Sequence, residues 1–215
     1  MPGVPPQPAA DVRIGVFGGA FDPPHRAHRQ LAEVAIRELR LDRLHIVPTG
    51  QAWHKPRVLS QADDRLAMCR LAFGDLPSAH VDEREVRRAS ASYTVDTLEE
   101  LRREFPGAQL LLVIGEDQLQ SFRRWHRWQD ILSMATLVVA ARPAADGHSG
   151  LASGAEQSAP DLPFQRLALP LLSISSSAVR ALAAGGRVPR EALSELVPDP
   201  VASYISTHSL YQQPS

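Results

Sequence analysis

The sequence predicts an α/β fold: a doubly wound parallel sheet with helices on both faces and a small helical portion toward the C-terminus. Three observations predict it. Short apolar, β-branched runs alternate with amphipathic segments, as strands and crossover helices do in a parallel sheet. The runs at 110–114 and 136–141 are uninterrupted, as in strands covered on both faces. Gly18-Gly19, Pro48, Gly115 and Arg142-Pro143 close successive runs and punctuate the alternation.

Taken in order, residues 1–11 are Pro-rich and aperiodic and read as a disordered lead-in. A strand is expected over 12–17, then a helix over 27–40 with Leu31, Val34, Ala35 and Leu39 on one side. A second strand follows at 44–48, a loop at 49–59 and a helix at 60–73. Val81 begins a short strand before the charged stretch 82–88. Thr94 is a plausible N-cap for a helix that Pro106-Gly107 stops. Strand 110–114 leads to short helices at 117–121 and 128–134, and strand 136–141 follows. Residues 144–163 carry Ala, Gly, Ser, Pro and Asp without a pattern, which reads as a mobile surface insertion in an otherwise single domain, 12–215. A last strand at 164–169, a helix at 175–184 stopped by Gly185-Gly186 and a closing helix at 200–207 complete the chain.

At 215 residues the chain suits one domain, and a formal net charge of −1 argues against a general nucleic-acid binder. A few local basic groups still suffice for a small anionic ligand. The single cysteine, Cys69, excludes an intrachain disulfide framework and fits a helical pattern as a small buried residue. No run approaches the ~20 apolar residues of a membrane helix. The first residues lack the basic and apolar regions of a signal peptide, so the cytoplasm is the expected location.

In doubly wound sheets, ligands bind beyond the carboxyl ends of the strands, where strand order reverses. Segments 18–28, 115–117 and 175–180, together with Arg142, each follow a strand, so the unusual chemistry gathers on one edge. The first of these, Gly-Gly-Ala-Phe-Asp-Pro-Pro-His-Arg-Ala-His, is the most informative. Its glycines let backbone approach a ligand closely. His25 and His28 share a side of the first helical turn, where N–H groups and the helix dipole favour anions. Paired imidazoles there can donate to phosphate oxygens and stabilise charge during phosphoryl transfer. Read alone, the pair also fits an i,i+3 metal site or a solvated helix start. The GxGxxG and Walker spacings are both absent. Ser175-Ser176-Ser177 offers hydroxyls and N–H groups at a second helix start, with Arg180 one turn on, an arrangement that serves a phosphate or an ordinary capped helix.

The first loop resembles the GGTFDPxHxGH signature of nucleotidyltransferases, and specifically the bacterial nicotinate-nucleotide adenylyltransferases. The resemblance runs over roughly 12–211. It takes in His54-Lys55-Pro56, Asp82-Glu83-Arg84-Glu85, Ser92-Tyr93-Thr94, Ile114-Gly115-Glu116-Asp117, Trp125-His126 and Ile174-Ser175-Ser176-Ser177-Ala178-Val179-Arg180. It implies a Rossmann-like sheet and transfer of AMP from ATP to nicotinic acid mononucleotide, with release of pyrophosphate. His25, His28 and Arg180 are then the catalytic residues. Gly18, Gly19, Ala20, Phe21, Gly115, Asp117, Ser175, Ser176 and Ser177 would bind ATP. The acceptor would meet His54, Lys55, Tyr93, Thr94, Trp125 and His126: an aromatic face suits the cationic pyridinium, and hydroxyl and N–H donors suit its carboxylate. Trp128 reads better as a core aromatic. Mg2+ would arrive with ATP, since no carboxylate cage for it is evident. Two positions depart from the signature: Ala20 replaces Thr, removing a hydroxyl, and Ala27 replaces Gly, adding a methyl that implies a tighter pocket. Two rival readings are an adenylyltransferase for another acceptor such as phosphopantetheine, and a nucleotide sensor without turnover.

Overall fold

The computed structural model describes residues 12–50, 59–141, 161–169, 172–185 and 189–212. The lead-in at 1–11, His54, Lys55, Arg142 and most of the 144–163 segment lie outside the described residues. The sheet has six strands: β1 (Arg13–Gly19), β2 (Arg43–Pro48), β3 (Ala79–Val81), β4 (Gln109–Gly115), β5 (Ala135–Ala141) and β6 (Gln165–Ala168). All neighbouring pairs are parallel, in the order β3-β2-β1-β4-β5-β6. From β1 the chain winds outward through β2 to β3, then returns to β4 and winds the other way. The reversal therefore falls between β1 and β4, the position at which such sheets open a crevice.

The period of two along each central strand divides its side chains between two cores. Leu111, Val113 and Val138 face a core built with α1 (Arg26–Glu38), α2 (Ala62–Phe73), α7 (Ser176–Ala184), α8 (Arg190–Ser194) and α9 (Asp199–Thr207). Leu110, Leu112, Ile114, Leu137 and Val139 face the other, with α4 (Thr94–Glu104), α5 (Glu116–Ser121) and α6 (Trp128–Met134). This two-sided burial explains the unbroken apolar runs, because neither face meets water. Cys69 is fully buried among apolar side chains of α2, which fits a packing role.

Boundaries shift by a residue or two where the ends are capped locally. Val81 closes β3 rather than opening it. The N-cap of α4 is Tyr93, without a side-chain cap bond, and Thr94 is the first helical residue. Short α3 (Arg84–Arg87), the 3-10 turn Phe122–Arg124 and α8 have too few residues to register a periodicity. Among the described residues, no helix is long and apolar enough to cross a membrane.

Candidate active site

A cavity of about 540 Å³ opens at the strand-order reversal. Its floor comes from Val16 and Gly18 of β1, Val47 of β2, and Leu112 and Ile114 of β4. Gly19 and Ala20 bring in the first loop; Asp117 and Gln118 of α5 lie across from it, and Tyr93, Thr94, Trp125 and His126 complete the wall. Four segments selected from sequence are thus drawn to one crevice although up to about a hundred residues separate them. The Tyr93 and His126 rings meet at 4.4 Å, tilted by 38°, while Trp125 packs on Phe122 at 5.2 Å. Trp128 is outside the lining and packs on the α4–α6 core, in keeping with its reading as a core aromatic.

His25, His28, Arg180 and the three serines form a rim beside the first loop rather than the cavity wall. His25 is the N-cap of α1 and 6 % exposed, and its ring stacks on His28 at 3.6 Å. The two residues cap each other: His28 Nδ1 accepts from the His25 N–H at 3.2 Å, and His25 Nδ1 accepts from the His28 N–H at 3.3 Å. An Nδ1 used as an acceptor carries no proton, so each ring keeps its donor on Nε2. Burial lowers the His25 pKa to about 4, which keeps that ring neutral near pH 7. Phe21, left-handed at φ 46°, sets its ring edge-on to His28 at 5.1 Å. A Cβ on Gly19 would approach the Phe21 ring to 3.1 Å, so the ring would have to give by a few tenths of an ångström to admit one.

The second helix start reaches the same loop. Ser175 caps α7 by accepting from the Ala178 N–H at 3.2 Å. Ser176 donates to the Pro23 carbonyl at 2.9 Å. Arg180 donates to the Asp22 carbonyl at 2.6 Å and to Ser177 Oγ at 3.0 Å. The rim is therefore one bonded unit made from two helix starts that lie far apart in sequence.

A cytidylyltransferase-like family model matches residues 16–182. A relative from Albidiferax ferrireducens, named "probable nicotinate-nucleotide adenylyltransferase", is 47 % identical over 93 % of this chain and 98 % of its own. One of the same name from Laribacter hongkongensis is 42 % identical over 95 % of this chain and 96 % of its own. The chain belongs to the nicotinate-nucleotide adenylyltransferases. The fold agrees with this adenylyltransferase membership: a Plasmodium falciparum nicotinic acid mononucleotide adenylyltransferase complexed with nicotinic acid adenine dinucleotide superposes with a TM-score of 0.72 at 17 % identity, over 93 % of this chain and 97 % of that one.

Sequence reasoning missed three residues that shape this adenylyltransferase site. Arg65 is 1 % exposed and donates to the carbonyls of Ala20 (2.9 Å), Thr49 (2.7 Å), Gly50 (3.4 Å) and Ser60 (3.1 Å). Glu85 and Thr97 line the cavity and are buried, with Thr97 Oγ1 donating to Glu85 Oε1 at 2.8 Å. Burial pushes the Glu85 carboxyl up to about 7. Gly50 packs on the Glu85 carbonyl so closely that any Cβ would collide with it. A buried-looking Arg inside an apolar helical pattern was the available signal for Arg65. For Glu85 the signal was its place in the Asp82–Glu85 segment that shares in the family resemblance.

Proposed function

We propose that the chain transfers AMP from ATP to nicotinic acid mononucleotide, giving nicotinic acid adenine dinucleotide and pyrophosphate, in the cytoplasm and within one domain spanning 12–215. The observation that carries this reading is the crevice at the strand-order reversal, which joins the glycines of the first loop to the Tyr93, Thr94, Trp125 and His126 wall. ATP would lie along the first loop, with Gly115 and Asp117 at its ribose, and the acceptor ring against Trp125.

An oxygen of the acceptor's phosphate attacks the α-phosphorus of ATP in line. A new P–O bond forms, the bond to the bridging oxygen of the β-phosphate breaks, and pyrophosphate leaves with that electron pair. The attacking phosphate is already an anion near neutral pH, so no general base is needed. Catalysis is positioning and charge stabilisation. The Nε2–H groups of His28 and His25 serve the α- and β-phosphate oxygens. Arg180 and Ser175–Ser177 serve the leaving pyrophosphate. The family resemblance also assigns His54 and Lys55 to binding of the acceptor.

A divalent cation, magnesium in this reading, would come bound to the triphosphate and offset its charge. The carboxylates that line the cavity are Asp117 and the buried Glu85, beside the hydroxyls of Thr49, Ser92, Thr94 and Ser121. The one three-ligand group among the described residues, His45, His80 and Asp82, shares no residue with it.

The test is pyrophosphate release from ATP with a panel of acceptors. Nicotinic acid mononucleotide should be turned over fastest, ahead of nicotinamide mononucleotide and phosphopantetheine. Faster turnover of the amide than of the acid would overturn the assignment of a carboxylate pocket.

A further inference from the structure

Asp22 stands midway between the cavity glycines and the paired histidines. It is 1 % exposed, and both carboxylate oxygens are bonded: Oδ1 accepts from the Tyr211 hydroxyl at 2.8 Å and Oδ2 from the Ser60 N–H at 3.3 Å. Tyr211 lies 189 residues further along the chain, beyond α9. Its ring packs against the core on the α1–α2 face, and its backbone is left-handed at φ 68°. An L-residue takes that conformation at a cost, so surrounding contacts must hold it there.

We propose that Tyr211 is a positioning residue for the nucleotide loop: its hydroxyl fixes the Asp22 carboxylate, and through it the placing of Gly18 to Ala20 on one side and His25 and His28 on the other. The inference rests on the reading that this loop binds ATP. A buried carboxylate needs donors to replace water. If the Tyr211 hydroxyl is removed, Asp22 Oδ1 loses a donor in a site closed to bulk water, so the carboxylate shifts and the loop backbone moves with it. Displacements of about 1 Å can cost a catalyst up to ~10²-fold. Arg65 on the Ala20 carbonyl, Arg180 on the Asp22 carbonyl and Ser176 on the Pro23 carbonyl hold the loop by its backbone. Tyr211 acts on the side chain, together with the Ser60 N–H. Burial and the neighbouring Asp22 charge also push the Tyr211 phenol above its ordinary range, so the donor keeps its proton.

Tyr211→Phe removes the hydroxyl and keeps the ring. The variant should lose about tenfold in kcat, equivalent to about 1.4 kcal/mol. It should bind ATP more weakly in a calorimetric titration, with the acceptor KM near the wild-type value. Tyr204→Phe is the control, since the Tyr204 hydroxyl donates at 2.9 Å to Asp64 of α2, outside the loop. A merely structural role would lower the thermal midpoint of both variants and leave kcat unchanged well below it. Asp22→Asn should cost less in the Y211F chain than in the wild type, because both changes act through one bond. Wild-type kcat and ATP affinity in Y211F, or equal losses in Y204F, would overturn the inference. Should the wild type bind ATP yet make no product with nicotinic acid mononucleotide, the acceptor reading fails, and the ATP affinities of the two variants alone decide the role of Tyr211.

Discussion

The rim and the cavity wall meet at Gly18 to Ala20 and are built on opposite principles. In the rim, polar groups are tied to one another, around a buried His25 and half-buried His28, Ser176 and Arg180: His25 to His28, Ser176 to Pro23, Arg180 to Asp22. Such groups cannot reorient cheaply, which is what stabilisation of a developing phosphate charge requires. In the wall, recognition falls to half-buried rings, Tyr93 and Trp125, and to an exposed His126. A ring in contact with a ligand face tolerates small shifts, because dispersion and cation–π attraction fall off gradually. The rim should therefore govern kcat, and the wall should govern acceptor affinity.

The largest test of that division is His28→Ala. Removal of a preorganised transition-state donor costs about 10²-fold or more in kcat. Steady-state kinetics should show that loss with an acceptor KM close to wild type; a near-normal kcat would remove His28 from the chemistry. Next, Trp125→Ala should raise the acceptor KM about tenfold, the scale of a desolvated cation–π contact, while the KM for ATP stays put. A fall in kcat with an unchanged acceptor KM would blur the two regions into one. The smallest effect concerns the buried carboxyl of the wall. Glu85 has its pKa raised from 4.5 to about 7, so between those values the folded chain binds a proton that the unfolded chain has released. Stability should fall as pH rises through that window. Glu85→Gln should flatten the change in thermal midpoint between about pH 5 and about pH 8. An unaltered slope would show that another group carries it.

The sequence exposed the rim more fully than the wall, and the reason is physical. Glycines, a proline-stiffened turn and two histidines one helical turn apart constrain each other within eleven consecutive residues, so their geometry is local. The central strands were equally legible, since burial on both faces leaves an unbroken apolar run at 110–114. β3 was blurred: three residues at a sheet edge carry too little pattern to set their ends. Glu85 and Thr97 were hidden for a different reason. Their pairing joins α3 to α4 only after the chain has folded, and each reads alone as an ordinary surface residue of a charged segment. Thr94 was assigned a capping role that Tyr93 holds by position, a difference of one residue that propensity cannot resolve.

Arg65 has a consequence for how this loop can vary. Its guanidinium reads carbonyl oxygens, which every amino acid supplies alike, and one of them belongs to Ala20. The loop's path is thereby fixed by something indifferent to its side chains. A threonine hydroxyl can be traded for a bare methyl at residue 20 without loosening that anchor, so composition is free to drift while shape is inherited.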